Sequence, residues 1–168
     1  MTTLRALEPA DLIALNRWRN NRALTMLTHG FRYPISREMD RAWYDAHIAN
    51  AAPQSAIFAI QDKSGTAVGL AQLSQIEAIH RRAELGLYLG EPHLHGQGLG
   101  KAALRELCAF GFDDLNLRRI HLQVTAGNQA AIASYLAVGF VEEGCLREHY
   151  FADGQWHDVL VMGCLRET

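Results

Sequence analysis

Between Leu89 and Lys101 the chain reads Leu89-Gly90-Glu91-Pro92-His93-Leu94-His95-Gly96-Gln97-Gly98-Leu99-Gly100-Lys101, with glycines 96, 98 and 100 at alternate positions ahead of a helical pattern. Without Cβ atoms, glycines let a backbone approach a ligand closely. Free amides at the start of a helix, aided by its dipole, suit phosphate oxygens, and Lys101 adds a cation in the first turn. An ordinary tight turn before a helix accounts for these residues equally well. Two commoner phosphate patterns fit poorly. A P-loop needs Ser or Thr after its lysine, and Ala102 follows Lys101. A dinucleotide fingerprint belongs early in a parallel βαβ unit, whereas these glycines stand in mid-chain behind strands joined by short turns.

Other reactive residues read more plainly. His93 and His95 lack the further ligands that a metal site requires, so they are taken as polar loop residues and no metal is expected. Cys108, Cys145 and Cys164 have neither paired nor metal-type spacing, which suits reduced thiols of a cytoplasmic protein. Their apolar surroundings raise a thiol pKa, and no Cys/His nucleophile pair is indicated. His149 and His157 flank the last hairpin as surface residues.

The elements that would hold these residues show in the hydrophobic period. Leu4 to Ala6 is a short strand. Glu8-Pro9-Ala10-Asp11 opens a helix with acid and proline in its first turn, and Leu12, Leu15 and Trp18 form one stripe along it. Ser36 caps a second helix that runs to about Asn50, offers Trp43 and Ile48 to the core, and ends before Pro53. Strands then follow over 56–60, 67–76 and 83–89, with turns at Asp62–Gly65 and His80–Arg82; strands so closely joined predict an antiparallel meander. A helix over 99–112, a strand over 120–124 and a helix over 128–138 come next. Two strands, 141–150 and 156–165, meet at Asp153-Gly154. The sum is an α+β fold: a central, mostly antiparallel sheet of about seven strands flanked by four or so helices.

Composition limits the function. The chain has 168 residues with 49% apolar and 20% charged, enough for a single domain over 1–168 that buries roughly 70% of its unfolded surface. Sixteen Lys and Arg against eighteen Asp and Glu give a net charge of −2, without the basic excess of a nucleic-acid binder. No apolar run approaches the roughly 20 residues of a membrane span. The opening Met1-Thr2-Thr3-Leu4-Arg5 has no signal-peptide core.

The sequence resembles the GNAT N-acetyltransferases. Their signature, Gln/Arg-x-x-Gly-x-Gly/Ala after a sheet strand, is matched by His95-Gly96-Gln97-Gly98-Leu99-Gly100, with both signature glycines in place and His95 standing for Gln/Arg. A second pattern, Asn-x-x-Ala-x-x-x-Tyr-x-x-x-Gly-Phe, is matched in full spacing from Asn128 through Ala131 and Tyr135 to Gly139-Phe140. Together the two cover roughly Val68 to Arg166.

The resemblance implies acetyl-CoA as cosubstrate and assigns roles. Tyr88, Leu89 and Gly90 would pair the pantetheine arm through their backbone. His95, Gly96, Gln97, Gly98, Leu99, Gly100 and Lys101 would hold the pyrophosphate. Asn128 would position the cofactor arm, and Tyr135 would be the general acid for the CoA thiolate. The base is less marked. One family position falls on Gln123, which cannot take a proton. Another falls on Glu84, which shares a strand face with Gly86 and Tyr88; a salt-bridged surface carboxylate beside Arg82 is the competing account, and a water relay is a third.

For the acceptor, Trp18-Arg19-Asn20 with Pro34-Ile35-Ser36 and Trp43 is similar to a branch that includes amino-sugar-nucleotide N-acetyltransferases. The tail Glu143–Glu148 with Gly154 and Asp158 is similar to that branch and to ribosomal-protein N-terminal acetyltransferases. A small amine or amino sugar is therefore expected first and a protein N-terminus second. Arg19, Arg22 and Arg32 suit either a phosphorylated substrate or a solvated helix face. A non-catalytic acyl-CoA-binding regulatory domain is the reading from another class. Edge strands near the C-terminus would suit a homodimer.

Overall fold

The computed structural model describes residues 3–30, 32–49 and 54–167. The expected helix end near Asn50, the break at Pro53 and the first two residues, Met1 and Thr2, lie outside the described residues.

Seven strands form one sheet: β1 (Leu4–Ala6), β2 (Ala56–Gln61), β3 (Ala67–Glu77), β4 (Arg82–Leu89), β5 (Arg119–Thr125), β6 (Val141–Ala152) and β7 (Gln155–Leu165). Their spatial order is β1-β2-β3-β4-β5-β7-β6. Every neighbouring pair is antiparallel except β4 with β5. That parallel pair is short, joining Arg82–Glu84 to Arg119–His121. The last hairpin folds back so that β7, not β6, lies beside β5. At the turn, β6 runs on to Ala152 and β7 starts at Gln155, closer to Asp153-Gly154 than the expected strands, and two register shifts interrupt the ladder.

Among the described residues, five helices flank the sheet: α1 (Leu12–Arg19), α2 (Arg22–Leu27), α3 (Arg37–Tyr44), α4 (Leu99–Ala109) and α5 (Gln129–Leu136). Local chemistry starts each. A 3₁₀ turn, Pro9–Asp11, leads into α1, and the Asp11 carboxylate accepts from the Glu8 amide at 2.9 Å. Asn21 and Ser36 cap α2 and α3 by accepting from the Leu24 and Met39 amides at 3.4 and 3.1 Å. The helix α2 goes beyond the sequence reading. Both α3 and α4 end in a wider π turn, Asp45–Ala49 and Phe110–Asp114. No helix among the described residues is long and apolar enough to cross a membrane.

Strand alternation divides the core between the two faces. On one face Ala71, Leu73, Ala83, Leu85, Ile120 and Leu122 pack beneath Ala103, Leu104, Leu107 and Cys108 of α4, with Tyr135 and Ile132 of α5 at the margin. On the other, Ala59, Leu70 and Tyr88 meet Leu15 and Trp18 of α1 and Trp43 of α3. Burying a large side chain of this kind contributes about 1.5–3 kcal/mol, so each face secures its own helices.

Candidate active site

The gap between β4 and β5 organises the site. Beyond Glu84 and His121 the two strands no longer pair, while β4 continues to Leu89 against β3 alone. The β5-facing backbone edge of residues 85–89 is thus open to pair with an extended chain. A cleft of about 660 Å³ runs through this opening. Glu84, Gly86 and Tyr88 line it with Trp18, Arg19 and Trp43 from one face of the sheet, and Asn128, Ala131 and Tyr135 line it from the other.

At the end of β4 the glycine turn begins. Gly96 and Gly98 adopt φ of +74° and +83°, where side chains are strained, and a Cβ on either would meet nothing within 4 Å. Gly98 is the N-cap of α4, and no side chain caps that helix. Ala102 is bonded back to the Gly98 carbonyl at 3.0 Å, and the amides of Leu99, Gly100 and Lys101 precede that first helical bond, where helix geometry provides no acceptor. The turn is therefore a cradle of backbone donors with open space above it, which fits a pyrophosphate. His95, in the position of the family's Gln/Arg, places Nε2 at 3.1 Å from the Leu89 carbonyl, so that nitrogen donates and pins the turn to β4. Gln97 donates to the His93 carbonyl at 2.7 Å. Leu99 packs its side chain into the core, leaving only its amide for a ligand.

Two glycines are fixed by close approach. A Cβ at Gly90 would fall 2.3 Å from the Trp18 indole, and one at Gly69 would fall 2.3 Å from the Tyr88 carbonyl. Trp18 in turn donates from Nε1 to Glu91 at 3.0 Å, tying α1 to the end of β4.

The expected acid and base come from opposite faces. Tyr135 leans on Phe140, ring centroids 5.8 Å apart, and burial pushes its hydroxyl up to about 12. It is therefore a protonated donor at neutral pH. Glu84 accepts from Gln75 Nε2 at 2.7 Å; no ion pair joins it to Arg82, which pairs instead with Glu77 at 2.8 Å. Asn128 spans two tasks, since its side chain caps α5 by accepting from the Ala131 amide at 3.3 Å while it lines the cleft. Lys101 is half-buried in the first turn of α4.

Among the lining residues, His29 escaped the sequence reading. His29 sits at φ +53° beyond α2, with Nε2 at 2.7 Å from Thr125 Oγ1 and its ring 4.3 Å from that of Tyr150. Burial, then the neighbouring His149, lowers its pKa. A single histidine in a polar run carries no spacing signal. Arg19 is held by the buried Asp40 and lies 4.0 Å over the Trp43 ring, and Asn16 Nδ2 donates to the same carboxylate at 2.7 Å. Tyr88, next to Arg19, is pushed up to about 12 by burial. His121 stands opposite Glu84 in the parallel register, with Nδ1 buried and without a partner. Among the described residues, no group of three His, Cys, Asp or Glu is arranged to hold a metal.

Comparison with known proteins agrees with this geometry. The family model described as an acetyltransferase (GNAT) domain matches residues 2–141. The spermidine N(1)-acetyltransferase of Vibrio cholerae is 34% identical over 166 residues, 98% of this chain and 92% of that one. The ribosomal-protein-serine acetyltransferase of Escherichia coli is 31% identical over 97 residues, 58% of this chain and 54% of its own length. The crystal structure of spermidine N-acetyltransferase from Vibrio cholerae in complex with CoA and spermine superposes with a TM-score of 0.89 at 33% identity, covering 97% of this chain and 94% of that one.

Proposed function

The chain belongs to the GNAT acetyltransferase family and is an acetyl-CoA-dependent N-acetyltransferase, and from that premise we propose that its acceptor is the primary amine of a small molecule. The observation that carries this is a cleft lined from both faces through the β4–β5 gap, with Glu84 on one side and Tyr135 on the other. At about 660 Å³ it suits a small acceptor beside a cofactor arm.

The bound cosubstrate supplies an acetyl thioester; the chain supplies position, charge and protons. In this reading the turn from His95 to Lys101 holds the pyrophosphate on its free amides. The open edge at Tyr88, Leu89 and Gly90 pairs the pantetheine arm, and Asn128 steers it past α5. An amide of the same edge donates to the thioester carbonyl, where negative charge develops. Glu84 receives the proton of the attacking amine, directly or through water. Tyr135 faces the sulfur. Handing its proton outright to a thiolate of ordinary pKa near 8.5 is uphill by roughly 5 kcal/mol, so Tyr135 acts first as a hydrogen-bond donor to the departing sulfur. The three free thiols suit a reducing compartment.

Two acceptors compete for the cleft. A polyamine is supported by the names of the relatives aligned over nearly the whole chain; an amino sugar is supported by the Trp18-Arg19-Asn20 and Trp43 resemblance. Release of free CoA thiol from acetyl-CoA, measured with spermidine, amino sugars and their nucleotides, aminoglycosides and Ala/Ser-starting peptides, separates them. Amine-dependent release with a small amine is the expected result. Release with peptides alone would move the assignment to protein N-termini. Tight acetyl-CoA binding without release from any amine would favour a regulatory domain.

A further inference from the structure

Beside the acceptor end of the cleft lies a second recess of about 190 Å³. It shares Arg19, Thr25 and Gly30 with the first cavity and adds Arg22, Arg32 and Asp153. Its charges do not balance. Arg19 is neutralised by the buried Asp40 and Arg22 by Asp153, 3.1 Å away. Among the described residues, Arg32 donates only to a neutral group, the Phe151 carbonyl, and lies 5.2 Å over the Tyr150 ring. Among the described residues, Glu84 and Asp153 are the acidic side chains lining either cavity. A guanidinium carries five donors in a planar fork matched to phosphate and carboxylate oxygens. Arg22 and Arg32 each commit a single donor in the bonds above and both line the recess, so further donors on each are left for an anion.

A polyamine reaching from Glu84 into this recess would bring its next ammonium toward the Arg32 guanidinium, which no carboxylate among the described residues neutralises, and charges act over roughly 8 Å at physiological salt. Like-charge contact of that kind selects against a partner as effectively as good contacts select for one. We infer that the preferred acceptor is a small amine that also carries a phosphate or carboxylate, its anionic end docked between Arg22 and Arg32 while its amine faces Glu84. This rests on the acetyl-transfer reading above and narrows its substrate class away from polyamines.

Matched acceptors test it. Initial rates of CoA release are compared for galactosamine and galactosamine 1-phosphate, for alaninamide and alanine, and for spermidine. The member of at least one pair that carries the phosphate or carboxylate is expected to exceed its partner that lacks it about tenfold in kcat/KM, a factor that one good charge-assisted bond supplies. Which pair responds tells phosphate from carboxylate. In the Arg22→Ala/Arg32→Ala variant that ratio collapses toward one, and Arg32→Lys, which keeps charge but loses the fork, falls between. Both side chains are at the surface, and an unchanged acetyl-CoA Kd by calorimetry establishes that the variants are folded. Preference for spermidine or for the members without an anionic group, or a ratio that survives the double substitution, overturns the inference while leaving acetyl transfer in place. No release from any amine overturns both.

Discussion

Single side chains at this site are set by what surrounds them. Tyr135 is held protonated by burial, so its value lies in an O–H aimed at a developing thiolate. Tyr135→Phe keeps the ring packed on Phe140 and removes that donor. Its kcat should fall about a hundredfold, the lower range for a proton-handling group, while the acetyl-CoA Kd from calorimetry stays within a factor of two or so. A fall in binding instead of turnover would make Tyr135 a packing residue. Gly98 gives the complementary case. A side chain there meets no protein atom but stands at φ +83° and projects into the space over the amide cradle. Gly98→Val should cost about 1–2 kcal/mol in unfolding free energy from backbone strain and raise the acetyl-CoA Kd at least tenfold. Full-strength binding would mean that the phosphates lie elsewhere.

Among the elements, α1 and α3 are joined through one buried carboxylate. Asp40 is 1% exposed and takes bonds from Arg19 and Asn16. Asp40→Ala removes the carboxylate that faces the half-buried Arg19 cation, which should destabilise the fold by about 3–5 kcal/mol. Chemical denaturation measures this, and a loss below 1 kcal/mol would show that the pair adds little. The tie also explains what could be read in advance. Strands over 56–60, 67–76 and 83–89 and the cap at Ser36 show in the sequence because alternation and capping are local. The glycine turn and Tyr135 stand out in the sequence because their spacing within a segment is itself the signal. Asp40 binding Arg19, His29 meeting Thr125, and β7 inserting beside β5 depend on residues that the chain brings together only after folding. The helix α2 went unread because six residues, Arg22–Leu27, are too few for a clear period. The β4–β5 gap is a failure of pairing, which no composition encodes.

The molecule as a whole inherits a pH response from its histidines. Burial lowers the pKa of His29, and it lowers that of His121 against the opposing pull of Glu84. A histidine held below its unfolded value near 6.5 is neutral in the fold and takes a proton more readily when unfolded. Its stabilising contribution is complete above pH 6.5 and is lost as pH falls below that value toward the folded pKa. The Tm should therefore drop between pH 7 and 5, and His29→Gln or His121→Gln should flatten the drop; identical slopes in the wild type and both variants would assign the acid loss to carboxylates. The gap between β4 and β5 has a consequence of another kind. Because it pierces the sheet, with α5 on one side and α1 to α3 on the other, the two reactants can approach from opposite faces and occupy the cleft together. Neither needs to leave before the other arrives, and Cys108, whose thiol burial pushes up to about 12, offers no way station for the acetyl group. Steady-state rates at varied amine and acetyl-CoA should accordingly give intersecting reciprocal lines, the signature of a ternary complex, where a two-step exchange through the protein would give parallel ones.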